Sequence, residues 1–144
     1  DREMIPDLLQ IPYSVVDRRF EPYFDEMGER GVEIHCRSAF LQGVVFISGS
    51  ELPRGLGGLA PRVERLAALA EGAGSTVSAL ALGFAARDLR VSRVVIGVDS
   101  TEQLEENLAS LTDGLRGLEY IAEEKLAAVR CDDENLVVPA RWPT

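Results

Sequence analysis

A chain of 144 residues, 46% hydrophobic and 27% charged, is long enough to bury one real core and has an ordinary globular composition. Its formal net charge of -9, with Lys125 the sole lysine, excludes nucleic acid as a partner, because such a binder clusters cations against phosphate. No apolar run approaches the ~20 residues of a membrane span, and two cysteines, Cys36 and Cys131, make no disulfide framework, so the expected setting is reduced and cytoplasmic.

The first element expected is a short strand, Asp7 to Ile11, stopped by Pro12, which cannot donate to a sheet ladder. A helical stretch follows, about Pro22 to Arg30, and Gly31 ends it. Val32 to Arg37 then alternates with period two, setting Val32, Ile34 and Cys36 on one face and Glu33, His35 and Arg37 on the other. A long glycine-rich loop comes next, of a length that is usually functional. Two helices follow: one with Pro61 near its start, a Leu59, Val63, Leu66, Ala70 stripe and Gly72 at its end, the other about Thr76 to Asp88 after the cap Ser75. Val91 to Ile96 reads as a parallel strand covered on both faces. Its helix carries an apolar stripe at Leu104, Leu108 and Leu111, and a last helix near Leu118 to Val129 precedes an irregular tail over 131–144.

Strands alternating with helices in this order imply a parallel α/β sheet. A closed eight-stranded barrel needs about 250 residues, so three strands are at most its last three units. The chain opens DREMIPD, with no secretory leader or initiator methionine and a strand almost at once, which is expected of a fragment.

Three segments point to chemistry. In VVIGVDSTEQLEENL (94–108) an apolar run meets Gly97, and a helix opens at Ser100, with Gln103 at capping-box spacing. Such a turn presents unpaired N–H groups that favour an anion; by the residues alone it is equally an ordinary capped βα turn. The second segment is RSAFLQG (37–43), and the third is Gln10 within LLQIPYS.

In their order along the chain these three segments resemble the aldo-keto reductases, over about Met4 to Val129. The resemblance implies the fold class: an α/β chain forming the C-terminal part of a (β/α)8 TIM barrel, with residues 1–130 as the C-terminal half of the barrel and 131–144 as a tail. It implies that Gly97, Val98, Asp99 and Ser100 grip the adenosine phosphate of a nicotinamide cofactor. Gln103, Glu106 and Asn107 would close over the adenine. Arg37, Ser38, Phe40, Leu41, Gln42 and Gly43 would cover the nicotinamide and pyrophosphate, and Gln10 would bond the carboxamide. Arg37 stands where the family usually has an aromatic ring, and Gln42 where it has a basic residue. Tyr13 and Ser14 are lesser candidates. The cofactor is NAD or NADP, with NAD favoured because a carboxylate at Asp99 accepts from a ribose 2′-hydroxyl and repels a 2′-phosphate.

The family's catalytic Asp, Tyr, Lys and His lie on strands two to five, which this sequence does not contain, and Lys125 on the last helix cannot substitute. No catalytic residue is therefore expected here, and no metal site, since one histidine and two distant cysteines do not make one. His35 is expected to be a hydrogen-bonded interior histidine below the barrel rim. Two functions remain: the cofactor-binding half of a carbonyl oxidoreductase, inactive alone, or a non-catalytic NAD(H)-binding regulatory or sensor module. In the complete protein the partner is a small-molecule carbonyl substrate, and open barrel edges imply self-association.

Overall fold

The computed structural model describes residues 4–143. Three parallel strands, β1 (Leu8–Pro12), β2 (Glu33–Arg37) and β3 (Arg93–Val94), form one sheet in the order β1-β2-β3. The register aligns Gln10 with His35 and Arg93, and Pro12 with Arg37. Alternation divides the sheet as the sequence implied. Ile11, Ile34 and Cys36 enter the hydrophobic core with Leu66, Leu80 and Phe84, while Leu8, Gln10, Glu33, Arg37, Arg93 and Val95 are exposed on the other face.

The helices are α1 (Phe24–Glu29), α2 (Ala60–Gly72), α3 (Val77–Arg87), α4 (Thr101–Glu119), α5 (Glu123–Ala127) and α6 (Glu134–Val137). Gly31 lies at φ +75, the left-handed conformation expected beyond a helix end. The α2 stripe Leu59, Val63, Leu66 and Ala70 is buried as expected.

Five sequence expectations give way to packing. β3 is two residues long rather than six, since among the described residues it pairs with β2 alone; Ser92 and Val95 add N–H bonds to the Ile34 and Cys36 carbonyls on its flanks. Val95 is 41% exposed, so this strand is not covered on both faces. The cap of α3 is Thr76, whose Oγ1 accepts from the Ala79 N–H at 3.1 Å; Ser75 Oγ is buried without a hydrogen-bond partner among the described residues. On α4 the Leu104 and Leu108 stripe is exposed, and the buried positions are Asn107, Gly114, Gly117 and Leu118. Small residues win because α4 crosses α3 closely: a Cβ on Gly83 would come within 2.7 Å of the Gly114 carbonyl carbon. The expected last helix splits, α4 running on to Glu119 and leaving α5 only five residues.

The tail is not irregular. Cys131 donates its N–H to the Val16 carbonyl at 2.8 Å, Val137 is buried, and the Trp142 indole N–H reaches the Leu136 carbonyl at 3.0 Å. Cys131 and Val137 thus belong to the same core, with Leu136 and Trp142 packed against it.

A polar network fastens the segment after β1 to the helices. Buried Arg18 lies 4.3 Å over the Phe84 ring and donates to Glu123 at 3.2 Å, where Arg87 also donates at 2.6 Å. Arg90 holds Asp88 through its backbone N–H and two side-chain bonds and reaches Asp25 at 3.1 Å. The bond to Glu123 pairs the Arg18 charge, which burial would otherwise penalise, while Arg18 Nη2 lies buried without a hydrogen-bond partner among the described residues.

Candidate functional site at the C-terminal edge of the sheet

The C-terminal ends of parallel strands are where α/β folds place ligands, because the chain leaves the sheet there in loops free to diverge. At this edge lies a cleft of about 620 Å³, within the range of small-molecule sites. Its lining brings together Gln10 from β1, Arg37, Ser38, Phe40, Gln42 and Gly43 from the end of β2 and its loop, and Gly97 and Asp99 from the turn after β3. Sequence reasoning missed Ala39, Val95 and Ile96, which complete the lining. Val95 was legible from alternation, two positions beyond exposed Arg93. Ile96 was not, since strand pairing has ended before it.

The β2 loop is held in an uncommon backbone. Ser38 (φ 61), Leu41 (φ 45), Gln42 (φ 55) and Gly43 (φ 82) all occupy the left-handed region. Each non-glycine residue there costs on the order of 1 kcal/mol. The loop keeps that conformation because Leu41 is anchored in the core at 1% exposure, while the Leu41 and Gly43 N–H groups bond the Ser38 and Phe40 carbonyls at 2.9 Å. Leu41 therefore supports the loop from below rather than lining the cleft. The Phe40 ring packs against that of Phe46, their centroids 5.2 Å apart and their planes tilted by 47°. Arg37 Nη1 donates to Ser38 Oγ at 3.0 Å.

The turn after β3 is built by its cap. Ser100 Oγ accepts from the Gln103 N–H at 3.1 Å, and Gln103 Oε1 accepts in return from the Asp99 N–H at 2.8 Å. The reciprocal pair satisfies two donors of the helix start, displaced one residue from the usual box. Ser100 and the Gln103 carbonyl oxygen are thereby used within the turn. A Cβ at Gly97 would meet nothing within 4 Å, so the space before it is open. Val98 and Glu106 are exposed outside the cleft lining. Asn107, one helical turn after Gln103, is buried in a separate groove between α3, β3 and α4, beside Leu82, Arg93 and Leu111.

Below the rim, His35 Nε2 and Glu33 Oε1 lie 2.8 Å apart, and Arg93 Nε is 3.7 Å from the same carboxylate oxygen. The bond to His35 holds the Glu33 carboxyl below its usual range. Tyr13 and Ser14 turn away from the cleft. Tyr13 is 2% exposed, its ring 5.0 Å from Phe24 and 5.4 Å from Phe84, and burial with the nearby Glu21 and Asp88 carboxylates pushes its phenol up. Ser14 Oγ accepts from the Asp17 N–H at 2.9 Å, closing the turn after β1. Cys36 is buried behind the sheet, and burial pushes its thiol up to about 12, so it is no nucleophile at neutral pH.

A parallel sheet with helices packed on it and a polar cleft at its C-terminal edge defines an α/β protein. The aldo/keto reductase family model matches residues 1–116, and the chain belongs to that family. Among solved structures it is similar to the aldo-keto reductase AKR11C1 from Bacillus halodurans. In the apo form the identity is 22% and the TM-score 0.61, with 90% of this chain and 46% of that one covered. The holo form gives 22%, 0.61, 90% and 45%. The chain thus spans less than half the length of these structures. No curated protein matches it.

Proposed function

We propose that this chain is the cofactor-binding C-terminal part of a (β/α)8 NAD(P)-dependent oxidoreductase acting on a small-molecule carbonyl or alcohol. The observation that carries the reading is the convergence of Gln10, Arg37, Ser38, Gln42, Gly97 and Asp99, three strand ends apart in sequence, on one cleft. Family membership and the holo form of the similar reductase support it.

The donor set suits a phosphate-bearing nicotinamide nucleotide. Gln10 offers a paired donor and acceptor for a carboxamide, Ser38 a hydroxyl, and Arg37 a cation for an oxyanion. Open space before Gly97 admits close approach to the backbone at the start of α4. Asp99, an exposed carboxylate in that turn, favours NAD over NADP. When bound, the cofactor supplies the hydride. The residues of this chain bind and orient it.

Reduction of a carbonyl also needs a proton donor within about 3 Å of the substrate oxygen. No Tyr, Lys or His lines the cleft among the described residues. Tyr13 has its phenol pushed the wrong way for donation at neutral pH. The proton donor therefore belongs to the preceding strands of the barrel, and the 144-residue chain alone has no turnover. Among the described residues β1 and β3 each pair only with β2, which leaves two open edges and favours self-association.

The same lack of a donor favours a second reading, a non-catalytic NAD(H)-binding sensor. Titrating this chain with NADH and NADPH by cofactor fluorescence tests binding, and assaying the complete protein, with the preceding barrel strands present, against aldehydes and ketones separates the readings: turnover supports the oxidoreductase and its absence the sensor. Absence of nucleotide binding would sink both. Measurable carbonyl reduction by these 144 residues would overturn the assignment of the donor elsewhere.

A further inference from the structure

The exposed sheet face of this acidic protein carries an excess of positive charge. Along β2 and β3 its ionisable groups are Glu33, His35, Arg37 and Arg93. Glu33 serves both His35, at 2.8 Å, and Arg93, at 3.7 Å, so the lower layer holds its own counter-charge. Arg37 sits two residues further along β2, at the edge where ligands bind, and no carboxylate pairs with it among the described residues. Its one hydrogen-bond partner there is the neutral Ser38 hydroxyl at 3.0 Å. Asp99 lines the same cleft without forming an ion pair with it.

This arginine is positioned rather than loose. Ser38 lies at φ 61, in a conformation that costs on the order of 1 kcal/mol, and its hydroxyl holds Nη1. Among the described residues no other hydrogen bond or ion pair engages the guanidinium, and Arg37 lines the cleft. Five N–H donors in a planar fork match two oxygens of one anion, which an ammonium cannot do.

We propose that Arg37 is an oxyanion anchor of the cleft, its guanidinium taking a carboxylate or phosphate carried by the acidic group of the carbonyl substrate or by the cofactor's pyrophosphate. The two sources rest on the proposed oxidoreductase reading, whereas the anchoring itself does not.

The test compares the full chain with R37Q and R37K, each checked by circular dichroism, using inorganic pyrophosphate, glycolate and NADH as probes in calorimetric titrations. The wild type is expected to bind at least one oxyanion, and R37Q to bind it about ten- to a hundredfold more weakly, the usual loss of a charge-assisted pair. R37K keeps the charge without the fork and is expected to lose about fivefold; this variant decides the matter should R37Q fail to fold. Pyrophosphate displacing NADH, with NADH weakened in R37Q, assigns the anion to the cofactor. Glycolate binding in saturating NADH, with NADH affinity unchanged in R37Q, assigns it to the substrate. Oxyanion binding that depends on Arg37 without any NADH binding would retain the anchor and remove the oxidoreductase reading. Wild type and both variants binding alike within twofold, or a wild type that binds neither oxyanion, would overturn the anchor.

Discussion

The crossing of α3 and α4 is the point at which a single methyl group should be felt most. A Cβ on Gly114 would fall on the Ala79 carbonyl oxygen, with the Ala79 carbonyl carbon 2.5 Å and its Cα 3.3 Å away. These are backbone atoms and cannot rotate aside, so α4 must move off α3 by roughly an ångström to regain ordinary contact. Overpacking of this kind costs about 1–3 kcal/mol, and rigid neighbours place it at the upper end. Replacing glycine with alanine inside a helix returns about 1 kcal/mol. The net expectation for Gly114→Ala is a loss of about 1–2 kcal/mol, or a Tm lower by about 2–8 °C at this chain length. Thermal unfolding followed by far-ultraviolet circular dichroism reads it. Gly28→Ala in α1 is the control: its Cβ would meet nothing within 4 Å, so the helix-propensity gain should appear alone. Because α4 carries the Gly97–Ser100 turn at its start, Gly114→Ala should also weaken nucleotide binding. A variant melting at or above the wild type would refute the claim that these helices touch through their backbones.

Three further outcomes are expected. Asp99→Arg should move preference from NADH toward NADPH by about tenfold, read as a ratio of dissociation constants, since it replaces a repelling carboxylate with a cation; tighter NADPH than NADH binding by the unmutated chain would contradict this. Thr76→Ala should cost about 1 kcal/mol by removing the α3 cap, whereas Ser75→Ala should be neutral or slightly stabilising, its hydroxyl being buried without a partner; equal losses in the two denaturant midpoints would reverse that assignment. Hydrogen bonds from Arg90 hold the Asp88 carboxyl below its usual range, so its contribution is full above the unfolded value near pH 4 and is lost as pH falls through the lower folded value. Asp88→Asn should therefore lower stability at pH 7 and flatten the decline below about pH 4, and a pH profile parallel to the wild type would count against it.

What could be read from the sequence alone was what depends on neighbours in the chain. Gly31 beyond α1, the α2 stripe and the Ser100–Gln103 reciprocal cap are settled by spacings of a few residues, and period-two alternation separated the two faces of β2, of which the apolar one enters the core. The order of motifs also pointed to the family, and most of the residues it implied, from Gln10 to Asp99, do share one cleft. Contacts between distant segments decided the rest. Leucines at 104 and 108 have the periodicity of a core stripe, yet Gly114 and Gly117 face α3, because only residues without bulk let the two backbones approach. Asn107 went to the α3–β3 groove by the same rotation of α4. The tail looks structureless until Cys131 meets Val16 and Trp142 meets Leu136. Left-handed residues at 41 and 42 exist because the core grips Leu41. None of these outcomes is encoded within a helical turn or a strand pair, so only the folded chain could decide them.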